Sequence, residues 1–301
     1  TKVGHTGTLD SFAQGLLVVC TGRLTKLAGN ITEFDKSYEA VIKFGQETDT
    51  LEYTGSITKT APLPSLEALN KAISIYTGNI MQSPPSFSAV HVNGKRASDL
   101  ARERKKVEIP PRPVAVFEAK LEETKTDTNG CIEYCKISFT VSKGTYIRCL
   151  ARDIAKETGS AGHLIGLYRT RVGNFDIKDA AGFNELEDFS IESSIEASKK
   201  SIDLQKTYPD DSLLQEEIKK TIRQCDRSTA ALCGFKSITL KDDEAEKDYC
   251  NGKPLRSALF TTNLHELASD ALYAVFSQKD VFRGLIEKEI GGRIRHRFVI
   301  T

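Results

Sequence analysis

The sequence of 301 residues predicts an α+β protein, and three observations favour that class. Apolar and polar side chains alternate over residues 37–45 and again over 135–141, which is typical of half-buried strands. Apolar side chains recur at helical spacing over residues 66–76 and 147–155, which predicts amphipathic helices. After Ser237 the composition changes and strand-like segments dominate. We therefore expect a large mixed unit followed by a small strand-rich unit.

The first half of the chain begins with a loop over residues 4–9 that is rich in glycine and threonine. Asp10 stands where a helix over residues 11–17 could begin, and it would then serve as the helix N-cap. After the first strand and helix, a basic helix is expected around residues 97–105, and a proline-rich link follows over 110–113.

The second half of the large unit contains the clearest strand and helix. Gly159 should end the helix that follows the 135–141 strand. Within this helix, Arg148 and Arg152 are expected on the face opposite the core. Residues 190–224 are polar and have a helical tendency.

The C-terminal part is expected to form a separate β-rich unit. A short helix is predicted over residues 242–250, and three strand-like segments follow at 271–276, 281–286 and 293–300. A unit of this size, with its own strands, is compatible with a small domain.

Composition argues against a membrane span and against metal or disulfide frameworks. Apolar residues make up 39% of the chain, and no apolar run approaches the ~20 residues that a span requires. The seven cysteines are odd in number and form no CxxC pair, so neither a zinc site nor a disulfide set is expected. This usage favours a reducing, cytoplasmic compartment. The first residues do not form a secretion signal, because no apolar segment follows a basic start. Since the chain starts without Met, we expect natural sequence to precede it.

Basic residues are concentrated in three segments although the net charge is only +1. Residues 94–106 and 142–173 each carry six basic and two acidic side chains, a net charge of +4, and residues 283–297 carry +3. One charged run is often only a solvated face. Three separate basic segments in a near-neutral protein favour a polyanionic partner.

Residues Gly4 to Asp10 form the most unusual stretch of the chain. They contain two glycines, two threonines, one histidine and one aspartate, a composition typical of a tight loop that positions side chains. Two interpretations remain open from these residues alone. Asp10 either caps a helix, at a gain of ~1 kcal/mol, or takes part in chemistry.

This loop resembles the signature of the TruB family of tRNA pseudouridine synthases, in which the aspartate is catalytic. The matching stretch is Lys2-Val3-Gly4-His5-Thr6-Gly7-Thr8-Leu9-Asp10, and further blocks follow in the family's order at residues 21–26, 36–55, 84–97, 142–148 and 164–173. The C-terminal part resembles a PUA domain, a small RNA-binding β-barrel. The resemblance implies the pseudouridine synthase fold, with a central mixed, mostly antiparallel sheet flanked by helices.

The resemblance also implies two domains. A catalytic domain is expected over residues 1–236, with a thumb-like insertion at about 82–113, and a PUA domain over residues 237–301. The family has a Lys-Pro-x-Gly-x-Thr-Ser stretch upstream of the signature loop, so the corresponding N-terminal strand is expected to precede this sequence. Ser11 stands where the family usually has proline, and this should soften the loop slightly.

The implied activity converts uridine to pseudouridine at position 55 in the T-loop of tRNA. The reaction breaks the N1–C1′ glycosidic bond, rotates the uracil and rejoins it through C5. Cleavage at an anomeric carbon favours a carboxylate, here Asp10. Attack at C1′ and proton abstraction at C2′ both remain open. Because the reaction is redox-neutral and needs no activated donor, we expect no cofactor and no metal.

Tyr38 and Arg148 complete the catalytic set that the resemblance implies. Arg148 would pair with Asp10 and orient its carboxylate, and Tyr38 would stack on the uracil. Without the resemblance, Tyr38 is a core residue and Arg148 a solvated one. Substrate-binding roles fall to residues that wall the pocket, replace the flipped base or contact phosphate. These are Tyr146 and Leu167, His5, and Lys95 and Arg96, respectively.

The expected partner is the T-arm of tRNA, with further contact from the final strand at Arg293–Arg297. A monomer without an obligatory protein partner is expected. Two alternatives remain: a non-catalytic tRNA-binding or folding protein, and a guide-RNA-dependent box H/ACA synthase. Intact Asp10, Tyr38 and Arg148 weigh against the first alternative.

Overall fold

The structure is a computed structural model that describes residues 1–85, 87, 91–92, 95–96, 109–200 and 212–300. In chain order, the strands are β1 (Val3–His5), β2 (Gln14–Gly15), β3 (Val19–Thr21), β4 (Lys36–Phe44), β5 (Gln46–Thr48), β6 (Ile57–Thr60), β7 (Gly78–Gln82), β8 (His91–Val92), β9 (Lys95–Arg96), β10 (Arg112–Thr126), β11 (Ile132–Val141), β12 (Gly162–Val172), β13 (Phe175–Asp176), β14 (Lys236–Thr239), β15 (Ala271–Phe276), β16 (Phe282–Lys288) and β17 (Ile294–Val299). The α-helices are α1 (Ala28–Thr32), α2 (Leu66–Ile75), α3 (Ile147–Glu157), α4 (Ile191–Lys199), α5 (Ser212–Thr221), α6 (Arg227–Leu232) and α7 (Asp243–Cys250).

A single sheet with the strand order β13-β12-β4-β11-β10-β7 forms the centre of the large unit. Neighbouring strands in this order are antiparallel, and β2 adds a short parallel pair with β12. The sheet is therefore mixed and mostly antiparallel, which confirms the predicted class. The predicted strands at 37–45 and 135–141 are β4 and β11.

Two long strands, β10 and β12, are not predicted by alternation. β12 is buried on both faces for most of its length, so its apolar residues run on continuously instead of alternating. β10 begins at Arg112, inside the stretch that the prolines make look like a link. The alternation of side chains therefore does not predict β12, because it is buried on both faces, or β10, because it begins in a proline-rich stretch.

Helices cover both faces of the central sheet. On one face, α2 and α3 bury Leu69 and Leu150 in the main apolar cluster, and both helices are confirmed from their predicted spacing. On the other face, Ile191 of α4 packs near Val41 and Ile165. Each such buried side chain contributes roughly 1.5–3 kcal/mol to folding, so the two layers fix the sheet firmly.

Arg148 is buried, and the expectation that it lies on the solvated face of α3 is wrong. It occupies the first turn of α3, where its side chain reaches the loop that carries Asp10. Arg152, one turn later, is partly exposed and pairs with Asp153. Helical spacing alone could not distinguish the two arginines, because the partner of Arg148 comes from another part of the chain.

The predicted helix over residues 11–17 does not form. Asp10 begins a turn in which the amide of Ala13 donates to the Asp10 carbonyl, and residues 14–15 then pair in parallel with β12. Gly15 has φ +108, and a Cβ there would lie 2.4 Å from the carbonyl oxygen of Arg169. Only glycine permits this close approach, and the strand pairing that it allows replaces the helix.

The C-terminal unit is a sheet with the order β14-β15-β16-β17. The predicted helix over 242–250 is confirmed as α7, whose N-cap Asp242 accepts from the amide of Ala245 at 2.8 Å. Within the described residues β14 and β17 do not pair, so the sheet is open rather than closed into a barrel. The PUA assignment and the boundary at 237 stay predictions.

One apolar cluster connects the two units. Leu16 and Ile31 of the large unit share it with Phe276, Phe282 and Leu285 of the C-terminal sheet. Because Leu16 ends the loop that carries Asp10, that loop and the C-terminal sheet share one apolar cluster.

The predicted basic helix around residues 97–105 and most of the thumb-like insertion lie outside the described residues. Of the insertion, β8 and β9 form a short antiparallel pair. No helix in the described part of the chain is long and apolar enough to cross a membrane.

Candidate active site

Asp10 lies on a loop over residues 7–16 that both flanking strands hold in place. β1 and β3 pair on either side of this loop, and the amide of Thr6 donates to the carbonyl of Val18 at 3.0 Å. The loop leaves β1, turns at Asp10 and returns through β2. This path presents the Asp10 carboxylate to the start of α3.

Arg148 binds the Asp10 carboxylate through two parallel hydrogen bonds. Its Nε donates to Oδ2 at 3.1 Å and its Nη2 donates to Oδ1 at 3.0 Å. The same guanidinium donates to the carbonyls of Thr50 at 2.9 Å and Phe87 at 3.1 Å. The Arg148 side chain is 6% exposed and that of Asp10 is 32% exposed. A fixed arginine therefore holds a carboxylate that stays accessible on one side.

The accessible side of Asp10 faces a cavity of ≈ 770 Å³. The lining includes Tyr38, Phe87, Tyr146 and Arg148. The volume lies in the range of sites that enclose small organic groups. Its charged lining residues are cationic except for two acids: Lys36, Arg112, Lys143, Arg148 and Arg169 stand against Asp10 and Glu33. The net positive charge favours an anionic ligand.

Tyr38 lies on β4 with most of its side chain in the main apolar cluster. Burial raises the pKa of Tyr38, whereas the positive charge of Arg169 acts to lower that pKa. The negative charge of Asp10 adds to the rise. Tyr38 is therefore both a core residue and part of the cavity wall, so the two interpretations of it are compatible.

Tyr146 is fixed at the start of α3 by a fully buried glutamine. The amide of Tyr146 donates to Oε1 of Gln82 at 2.8 Å, and Nε2 of Gln82 donates to the Tyr146 carbonyl at 3.1 Å. The guanidinium of Arg112 lies over the Tyr146 ring, 5.2 Å from its centroid, in the range of a cation–π contact. These contacts position an aromatic ring at the cavity wall.

The other predicted substrate-binding residues are not all at the cavity. His5 is exposed on β1, where its Nδ1 accepts from the Gly7 amide at 3.4 Å. Leu167 is buried in the apolar cluster that contains Tyr38, and it does not line the cavity. Lys95 and Arg96 form β9, and their side chains lie outside the described residues. The structure thus brings together Asp10, Tyr38, Arg148 and Tyr146 from the predicted set.

Three polar residues near Asp10 have no role in the sequence-based prediction. Arg169 is buried and lines the cavity. Burial, followed by the positive charge of Arg169, lowers the pKa of Lys36 to about 8. Burial raises the pKa of Glu52, and the nearby charge of Arg148 acts in the opposite direction. All three lie within or beside the blocks that carry the family resemblance, which was the only sequence signal for them.

The basic segments differ in how much of their charge is free. Within 283–297, Arg295 and Arg297 both pair with Glu287. The positive charge of this strand is therefore largely compensated within the C-terminal unit. In the 142–173 segment, Arg148 is likewise paired, with Asp10, whereas Arg169 forms no ion pair with a described residue, and both arginines line the cavity.

Comparisons with known proteins agree with this geometry. The family described as TruB family pseudouridylate synthase (N terminal domain) matches residues 1–147. The tRNA pseudouridine synthase B of Treponema denticola is 46% identical over 205 residues, which cover 63% of this chain and 57% of that protein. The protein of the same name from Francisella philomiragia is 43% identical over 221 residues, covering 72% of this chain and 70% of that protein.

A solved structure shares the fold at low sequence identity. A chain of a Cbf5-Nop10-Gar1 complex aligns with a TM-score of 0.61 and 19% identity, covering 99% of this chain and 76% of that chain. The fold is therefore that of a pseudouridine synthase. With the sequence matches above, the chain belongs to the TruB family of pseudouridine synthases. The alignment spans just over half the length of the Treponema relative.

Proposed function

We propose that this chain isomerises uridine to pseudouridine at position 55 in the T-loop of tRNA. The observation that carries the proposal is the Asp10–Arg148 pair at a cationic cavity. An oriented carboxylate is the group that cleavage at an anomeric carbon requires. The cavity surrounding it is of a size to receive a flipped nucleotide.

In this proposal Asp10 acts on the ribose of the flipped uridine. If the carboxylate attacks C1′, the N1–C1′ bond breaks, its electron pair goes to the uracil, and an ester forms. If it removes the C2′ proton, the same bond breaks and a glycal forms. In both cases the uracil then rotates and C5 bonds to C1′: on the first route C5 displaces the Asp10 carboxylate from C1′, and on the second C5 adds to C1′ while the proton returns from Asp10 to C2′. The C5 proton is then lost and N1 ends protonated. The product is an isomer, so no cofactor or metal is needed.

The residues around Asp10 are proposed to keep the detached uracil in place. Tyr38 and Tyr146 line the cavity and offer rings for stacking, and together with Phe87 they limit the entry of water. Leu167 belongs to the apolar cluster behind Tyr38 and is proposed to support that wall. His5 is exposed on the strand before the catalytic loop, a position from which it is proposed to occupy the space left by the flipped base.

The proposed partner is the T-arm of tRNA, bound without guide RNA or partner protein by a monomer. Positive charge in the cavity supports a phosphate-bearing ligand. Lys95 and Arg96 are proposed as additional phosphate contacts. We place the protein in the cytosol, because all seven cysteines are free thiols, as a reducing compartment favours.

A guide-dependent synthase is the second candidate. It is favoured by the fold match to a chain of a Cbf5-Nop10-Gar1 complex, which is an assembly of more than one protein. The much higher identity to proteins named tRNA pseudouridine synthase B weighs in favour of the first candidate.

The test uses an unmodified tRNA transcript, the protein alone and no added cofactor. Pseudouridine is mapped by carbodiimide-dependent stops of reverse transcription. Wild type should produce a stop at uridine 55, whereas Asp10→Asn should bind tRNA and produce none. Asp179→Asn is the matched control, because Asp179 is exposed and its nearest ion-pair partner, Arg223, is at 3.9 Å. Binding without a stop from any variant would refute the stand-alone enzyme and leave the guide-dependent or non-catalytic alternatives.

A further inference from the structure

Arg169 is a buried cation that has no acidic partner in the part of the chain that the structure describes. Its side chain belongs to β12, the residue is 2% exposed, and it is the largest of the fully buried side chains in the described part of the chain. Among the described residues it forms no ion pair with a carboxylate. Removing a guanidinium from water is costly unless its donors are satisfied. The groups to which the Arg169 guanidinium donates therefore indicate the role of this buried residue.

Two of those partners are the two ends of the loop that carries Asp10. Nη2 of Arg169 donates to the carbonyl of Gly7 at 3.0 Å, and Nε donates to the carbonyl of Leu16 at 2.7 Å. Gly7 and Leu16 bracket Asp10 in the sequence. One planar group thus ties both ends of the loop together.

The backbone of the same residue holds the loop as well. The carbonyl of Arg169 accepts from the amide of Leu16 at 2.8 Å, and Arg169 lies opposite Gly15 in the β2–β12 pair. The return path of the loop therefore follows β12 closely. The side chain adds the link to Gly7 that the backbone alone cannot make.

Arg169 also reaches the second residue of the proposed catalytic set. It lies opposite Tyr38 in the register of β12 and β4, and its positive charge acts to lower the pKa of Tyr38. The residue that ties the ends of the Asp10 loop is therefore also the strand partner of the residue whose ring is expected to stack on the base. Loop and ring are held in a fixed relation, as a reaction with a rotating base requires.

We propose that Arg169 is a positioning residue, whose guanidinium fixes the Asp10 loop at both ends beside Tyr38, its partner on the neighbouring strand. The proposal rests on the proposed function for its kinetic consequence but not for the hydrogen bonds to the loop. Lysine cannot replace the residue, because one ammonium group cannot reach two separated carbonyls in the geometry of a planar fork.

Arg171 provides a matched control on the same strand. It is two residues from Arg169, and its Nε donates to Oγ of Ser37 at 3.1 Å and its Nη1 to the carbonyl of Gly173 at 2.6 Å. Neither of these partners belongs to the Asp10 loop. A general disturbance of charge or packing on β12 would follow substitution of either arginine, whereas release of the loop would follow only from substitution of Arg169.

The experiment compares Arg169→Lys and Arg169→Met with Arg171→Lys and Arg171→Met in the full chain. Hydrogen exchange measured by mass spectrometry reports on the peptide spanning residues 6–17. Single-turnover pseudouridine formation and the Kd for tRNA are measured in parallel. Arg169→Lys keeps the charge, so it remains informative even if Arg169→Met does not fold.

The expected result for both Arg169 variants is faster exchange in the 6–17 peptide, and Arg169→Lys, which keeps the charge in the cavity, should also leave the Kd unchanged. A displacement of the carboxylate on the order of 1 Å should reduce the single-turnover rate by roughly 10- to 100-fold. The Arg171 variants should match wild type both in the exchange of the 6–17 peptide and in the single-turnover rate. If Arg169 had only a structural role, its substitution would lower the thermal stability, and the single-turnover rate would not fall independently of the Kd for tRNA.

Two outcomes would overturn the proposal. The first is unchanged exchange of the 6–17 peptide in both Arg169 variants, whatever their activity. The second is a loosened loop with a single-turnover rate equal to wild type. If wild type itself forms no pseudouridine but the loop exchanges faster in the Arg169 variants, the role of Arg169 in holding the loop stands and the proposed function fails.

Discussion

Replacing Arg148 by lysine keeps a positive charge beside Asp10 but removes the two-pronged geometry that holds the carboxylate. In the structure Arg148 makes four hydrogen bonds, two to Asp10 and one each to the carbonyls of Thr50 and Phe87. A lysine ammonium on a flexible stem cannot satisfy these directions together. We therefore expect Arg148→Lys to bind tRNA normally and to react slowly.

The magnitude follows from the hydrogen bonds that lysine cannot make. A hydrogen bond to a charged group contributes about 1.5–3 kcal/mol, and an ordinary one about 1 kcal/mol. Because Asp10 is 32% exposed, water can replace part of the interaction there. If lysine fails to make one hydrogen bond to the carboxylate and one to a carbonyl, the free energy of unfolding should fall by about 2–3 kcal/mol. A carboxylate displaced by ~1 Å should react on the order of 100-fold more slowly.

Urea unfolding and single-turnover pseudouridine formation on one tRNA transcript measure the two effects. Arg152→Lys is the control, because Arg152 lies one turn further along α3 and pairs with Asp153 at 2.8 Å. The reasoning is refuted if Arg148→Lys reacts within twofold of wild type. It is also refuted if the two substitutions slow the reaction equally.

Two further predictions concern the support of the cavity. Gln82→Leu should leave the amide of Tyr146 without its partner and remove one of the hydrogen bonds that the Tyr146 carbonyl accepts. The free energy of unfolding in urea titration should fall by about 2 kcal/mol, and an unchanged midpoint would contradict this. Lys36 has a pKa of about 8 in the folded state against an ordinary value of 10.5, so between these values the folded chain binds fewer protons than the unfolded chain. The stability of wild type should therefore rise relative to Lys36→Met as the pH increases from 8 to 10.5, and parallel stability curves would exclude this titration.

The elements predicted from the sequence are those whose signal is local. Residues 66–76 and 147–155 have an apolar stripe at helical spacing, and both form helices that cover the central sheet. The strand at 135–141 alternates because one face is buried and the other is less so. The helix predicted over residues 242–250 forms, and Asp242 is its N-cap. In each case the residues of the segment itself are sufficient to predict its secondary structure.

The predictions from the sequence are wrong where a segment far away along the chain determines the local structure. Residues 11–17 have the composition of a helix start, yet the chain pairs with β12 because Gly15 lets the backbone of Arg169 approach. Arg148 has the spacing of a solvated helix residue, yet it is buried because Asp10 lies in front of it. The spacing of apolar residues within each segment predicts neither the strand pairing of residues 14–15 nor the burial of Arg148.

For the site, the sequence determined the residue types and the family to which they belong, because Asp10, Tyr38 and Arg148 stand in recognisable blocks. Only the tertiary structure decided that Arg148 donates two hydrogen bonds to the Asp10 carboxylate and that Arg169 donates to both ends of the loop that carries Asp10. The reason is physical: hydrogen-bond geometry and burial depend on groups brought together from far apart in the chain. Arg148 is 138 residues from Asp10, and Arg169 is 162 residues from Gly7.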